Sequence, residues 1–69
     1  MPLTMARSGH TGAIKGITGK DDTKRYLESL GFIAGESITV VSEINGGMIL
    51  CVKGARMALG KDMARRIII

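Results

Sequence analysis

Few residues of this 69-residue chain have the chemistry to act on a substrate or hold a metal, and their spacing keeps them apart. His10 is the sole histidine, with Ser8 and Thr11 beside it. Acid–base and nucleophilic catalysis need partner groups within hydrogen-bond reach of each other. Ser8-Gly9-His10-Thr11-Gly12 is more simply a turn. Asp21 and Asp22 are adjacent carboxylates, but neighbours at the start of a helix point apart, and capping accounts for both. Cys51, the only cysteine, lies in the apolar run Met48-Ile49-Leu50-Cys51-Val52. A buried, inert thiol is expected there, because reactive thiols need an accessible and electropositive setting. The chain is not expected to be an enzyme.

Phosphate and metal chemistry fare little better. Gly16-Ile17-Thr18-Gly19-Lys20 differs from a phosphate-cradling loop in having two residues between its glycines rather than four, and Asp21 rather than Ser or Thr after the lysine. A carboxylate at that helix start repels phosphate. His10, Cys51, Asp21, Asp22 and the five methionines are potential metal ligands. No pair of them has the close spacing of a structural site, so no cofactor or resident metal is expected. His10 in its glycine-flanked loop is the weak candidate should the barrel bind a transition metal.

Ten basic residues against six acidic ones give a net charge of +4, which favours encounter with acidic proteins, nucleic acid or an anionic membrane. Single-strand binders built on small barrels add stacking aromatics. This chain offers only Tyr26 and Phe32, and helix packing and capping use both. Nucleic acid is therefore an unlikely partner, and a groove for proline-rich peptides, which is lined by aromatic side chains, is equally poorly supplied.

The elements that position these residues must come from one domain spanning residues 1–69, since so short a chain has no core to divide. Apolar residues make up 45% of it and aromatics 3%, so the core is aliphatic. No disulfide can form within the chain. No stretch is long and apolar enough for a signal peptide or membrane span, and a cytoplasmic location is expected.

Ala13-Ile14-Lys15-Gly16-Ile17 reads as a short strand. Ile14 and Ile17 differ in parity, and a bulge at Gly16 would turn both inward. Asp21 or Asp22 is the expected N-cap of the one clear helix, in which Thr23, Tyr26, Leu27 and Leu30 share a face and Gly31 supplies a left-handed C-cap. Ser37 to Glu43 is rich in branched residues, and Asn45-Gly46-Gly47 separates it from Met48–Lys53 as a hairpin. Gly54 turns into a strand over Arg56–Leu59, Lys61–Arg65 makes a single helical turn, and Ile67-Ile68-Ile69 closes the chain as a strand. The expected fold is mainly β: a small, partly open SH3-like barrel of about five strands with one inserted helix.

One pattern runs along nearly the whole chain: an early Leu3, then Gly9-x-x-Gly12-x-Ile14-x-x-Ile17, then Leu27-Glu28-Ser29-Leu30-Gly31-Phe32-x-x-Gly35, the hairpin, and finally Ala58-Leu59 with Ala64 and Ile67. It resembles the FeoA family. Ala34 stands where that family often has proline, which leaves the turn less rigid. The resemblance implies an accessory protein of bacterial ferrous-iron uptake whose partner is FeoB, the membrane ferrous-iron transporter with a cytoplasmic GTP-binding domain. The mechanism implied is protein–protein contact. Candidate contact residues are Phe32 and Ile33, protruding after the helix, and the basic Arg56, Arg65 and Arg66. An edge carrying Ile67–Ile69 would offer homodimerisation or strand addition. The alternative is a small basic barrel that binds a transition metal ion or nucleic acid.

Overall fold

In the computed structural model, which describes residues 1–69, a 3-10 turn at Leu3–Met5 leads into β1 (Thr11–Ala13), β2 (Gly16–Ile17) and helix α1 (Asp21–Ser29). There follow β3 (Ser37–Ile44), β4 (Gly47–Val52), β5 (Ala55–Gly60), α2 (Lys61–Ala64) and β6 (Ile67–Ile68). The strands form a four-stranded antiparallel sheet in the order β1-β3-β4-β5 and a two-stranded sheet of β2 and β6. This is the small SH3-like barrel, with six strands because the first expected strand is divided.

That division makes the barrel's corner. β1 pairs with β3 and β2 pairs with β6, so the chain changes sheet within Ile14-Lys15. The Ile14 N–H donates to Glu36 C=O at 2.9 Å while the next N–H, Lys15, donates to Ile68 C=O at 2.7 Å. Ile14 is fully buried and Ile17 packs against the core, so both side chains point inward. The bend lies before Gly16, where a bulge was expected.

Helix α1 starts one or two residues earlier than capping by the acidic pair would place it. Lys20 is the N-cap and makes no side-chain cap bond, which places Asp21 and Asp22 inside the first turn. Their charges still face the positive end of the helix dipole. The other end is a complete Schellman motif. Phe32 N–H donates to Leu27 C=O at 3.1 Å and Gly31 N–H to Glu28 C=O at 3.0 Å, with Gly31 at φ 103°. Leu27 and Phe32 are both fully buried, supplying the apolar contact that accompanies this cap. Tyr26 does not share that face: it is 49% exposed.

Two tight hairpins build the larger sheet. Both leave two residues between the last paired positions, Ile44↔Gly47 and Val52↔Ala55. At Asn45-Gly46 only the glycine has positive φ, whereas Lys53 (φ 53°) and Gly54 (φ 77°) both do. The type I′ geometry that matches strand twist is thus at Lys53-Gly54. A bulge at Val41 shifts the β3–β4 register between Val40 and Ser42. Ile38 and Val40 before it face the core, and Ile44 beyond it is turned to the outer face, 42% exposed.

Met48, Leu50 and Val52 point from β4 into a core shared with Leu27, Phe32 and Ile67. The alternate residues of β4 face outward, Cys51 among them. It is half-buried, between Thr39 and Arg56 on the neighbouring strands, and not the core thiol its apolar run suggested. Gly47 is required by contact rather than by conformation. A Cβ there would lie 2.6 Å from the Leu59 carbonyl oxygen, closer than a carbon can approach.

Candidate partner-contact surface

The residues with chemical potential stay apart in three dimensions. His10 lies on an exposed loop, its N–H donating to Arg7 C=O at 3.0 Å and its C=O accepting from Val40 N–H at 2.9 Å. The imidazole folds back over Gly12, with Nε2 3.4 Å from the place a Cβ would occupy. No group of three or more His, Cys, Asp or Glu side chains converges to hold a metal ion. No helix is long and apolar enough to cross a membrane.

The five expected contact residues divide. Phe32 does not protrude: as the residue that closes the Schellman motif it is fully buried against Leu27 and belongs to the core. Its neighbour Ile33 is 39% exposed and opens a turn in which Glu36 N–H donates to Ile33 C=O at 3.0 Å, with Gly35 at φ 92°. That is the type II arrangement, with Ala34 where proline is commonest.

Arg56 is exposed on the outer face of β5, next to the β4–β5 turn. Arg65 and Arg66 follow α2, which starts from the opposite end of β5. Arg65 is exposed and pairs with Asp62 at 3.5 Å, one turn back. Arg66 is half-buried. Its side chain lies over the Gly19 loop, with Cδ 3.5 Å from the position of a Cβ there, while its C=O accepts from Thr18 N–H at 2.7 Å. The three arginines therefore do not share one element, and only Arg56 is free of both an ion pair and a loop to cover.

The expected open edge at Ile67–Ile69 is closed on both sides. β2 pairs with one side through Gly16↔Ile68 and Ile17↔Ile67. On the other, Pro2 bridges Ile68, and Ile69 N–H donates to Met1 C=O at 2.8 Å. Ile67 is fully buried and Ile69 nearly so. Strand addition at β6 would have to displace the first residues of the chain.

Sequence reasoning missed the exposed Met5 (70%) and Ile44 (42%). Nothing in the sequence around Met5 marks it. For Ile44 the alternation Ile38, Val40, Ser42, Ile44 points inward, and only the bulge reverses it.

The FeoA domain family matches residues 1–69, the entire chain. A protein of Methanocaldococcus jannaschii, provisionally named Fe(2+) transport protein A, is 29% identical over 68 residues, covering 99% of this chain and 83% of that protein. The crystal structure of an iron uptake regulatory protein, FeoA, superposes with a TM-score of 0.88 at 33% identity, covering 96% of this chain and 88% of the other. Stenotrophomonas maltophilia FeoA, a prokaryotic SH3 domain protein crystallised with zinc, has the same fold (TM-score 0.84, 24% identity, 99% of this chain and 87% of that one). With the family pattern matched from end to end, the chain belongs to the FeoA family of ferrous-iron transport accessory domains.

Proposed function

We propose that the protein is an accessory factor of ferrous-iron uptake that works at the cytoplasmic face of the membrane by binding the FeoB transporter. The observation that carries this reading is the match of the FeoA family along residues 1–69. The surface chemistry agrees with a role in contact. A net charge of +4 and the unpaired Arg56 suit an acidic partner surface. Contact of this kind changes what the partner does through differential affinity for its states and needs no catalytic group on this chain.

The test is binding of the purified protein to detergent-solubilised FeoB and, separately, to its soluble GTP-binding domain, with and without a GTP analogue and ferrous ion. Saturable binding to either is expected, and nucleotide or iron dependence would identify the state recognised. Absence of binding under every condition would overturn the reading. Reversing charge at Arg65 and Arg66 should slow association and flatten its salt dependence, in proportion to their part in steering.

A further inference from the structure

The two edges of the four-stranded sheet are unequal. β1 is three residues long and β5 is six, Ala55–Gly60. The register fixes which β5 groups are used. Lys61 N–H donates to Gly46 C=O at 3.1 Å, so Gly47↔Gly60 is a non-hydrogen-bonded pair. By alternation Ala55, Met57 and Leu59 bond to β4, while the N–H and C=O groups of Arg56, Ala58 and Gly60 point away from it. No hydrogen bond from another segment reaches Arg56 or Ala58, whereas Gly60, the N-cap of α2, keeps only its N–H free because its C=O starts the helix.

An open edge is normally blunted by inward charges, proline, a bulge or shortness. β5 has no proline, and its register with β4 is unbroken. Its outer-face side chains are Arg56, Ala58 and Gly60, two of them too small to shield the backbone. On the core side Met57 is only half-buried. No Asp or Glu occurs between Glu43 and Asp62, a stretch that holds Lys53, Arg56 and Lys61.

We propose that the outer edge of β5 is a strand-addition site for an extended acidic segment of a partner protein, which would pair with both backbone groups of Arg56 and Ala58 and with the Gly60 N–H as a fifth strand of the sheet. The proposal deepens the contact reading and rests on it. Period-two alternation sets the ligand pattern: acidic side chains on the outer face beside Arg56, and apolar ones on the other face, covering Met57. Backbone pairing supplies affinity and the alternation supplies specificity. A second copy of this chain fits less well. It would bring the same Lys53, Arg56 and Lys61 to the edge, with no acidic residue among them to answer Arg56.

The test is titration of the isotopically labelled protein with an extended peptide of alternating glutamate and valine, and with a lysine–valine peptide of the same pattern. Saturable shifts and slowed amide exchange at Arg56, Ala58 and Gly60 are expected with the acidic peptide only, weakening as salt rises. Ala58→Pro removes an amide that β4 does not use and should reduce binding about tenfold or more. Arg56→Glu, which leaves the backbone untouched, should weaken it about threefold or more. Perturbation confined to another surface, or none at millimolar peptide, would overturn the proposal. So would slowed exchange at these amides that grows with protein concentration alone, because the occupant would then be a second copy. The peptide measurement does not involve FeoB, so failure here leaves the transporter reading to its own binding test.

Discussion

β6 and β5 are both strands with an aliphatic composition and no acidic residue, yet the fold treats their edges in opposite ways. β6 is enclosed, with β2 on one side and the residues around Pro2 on the other, and Ile67 is buried to nothing. β5 has β4 on one side and no strand on the other. Branched residues on both faces mark a strand that the core needs on both sides. Alternation between small and core-facing residues, as in Ala-Arg-Met-Ala-Leu-Gly, marks one that is packed on one face only. The comparison sets a structural strand, β6, against the proposed interaction surface at β5.

The comparison can be broken most forcefully at the enclosed side. Ile67→Ala should cost about 2–5 kcal/mol of stability, read as the shift in a denaturant midpoint. Ile33→Ala, at an exposed contact candidate, should stay within about 0.5 kcal/mol. Equal losses would show that the burial contrast has no energetic counterpart. Gly47→Ala comes next, because its Cβ would meet backbone and not a movable side chain. A loss of about 1–3 kcal/mol is expected, together with exchange changes in β4 and β5 that spare β2 and β6.

A smaller effect of opposite sign is expected at the turn feeding β5. Lys53 is the sole non-glycine residue with positive φ, a conformation that costs a side chain about 1–2 kcal/mol. Its ion pair with Glu36 at 3.6 Å is exposed on both sides and returns little. Lys53→Gly should therefore raise stability, by about 1 kcal/mol or less once glycine's greater unfolded-state freedom is counted. A loss would mean that the turn is not strained.

Much of this was legible in the residues. Asn-Gly between apolar runs marked the β3–β4 hairpin, and Gly31 after Leu30 marked the helix end, because each depends on a local backbone requirement that few residues meet. The split strand was half legible: the opposed parity of Ile14 and Ile17 demanded a bend, but its position depends on Glu36 and Ile68, which are remote in sequence. In the sequence Phe32 suits two incompatible roles, cap contact and protruding contact residue, and the Schellman geometry selects the first. Ile44 was unreadable because one extra residue in β3 reverses every later side chain. The closed edge of β6 and the open edge of β5 were unreadable for the same reason as each other. Which strand lies at an edge is decided by long-range pairing, to which local composition contributes little.

The most direct test of the contrast between the edges is residue-resolved amide exchange on the free protein. Along β5 the account predicts alternation, with fast exchange at Arg56 and Ala58 and slow exchange at Met57 and Leu59, while Ile69 and Lys15 beside β6 are both slow. An Ala58 amide as protected as that of Leu59 would contradict it, because the β5 edge would then already be occupied.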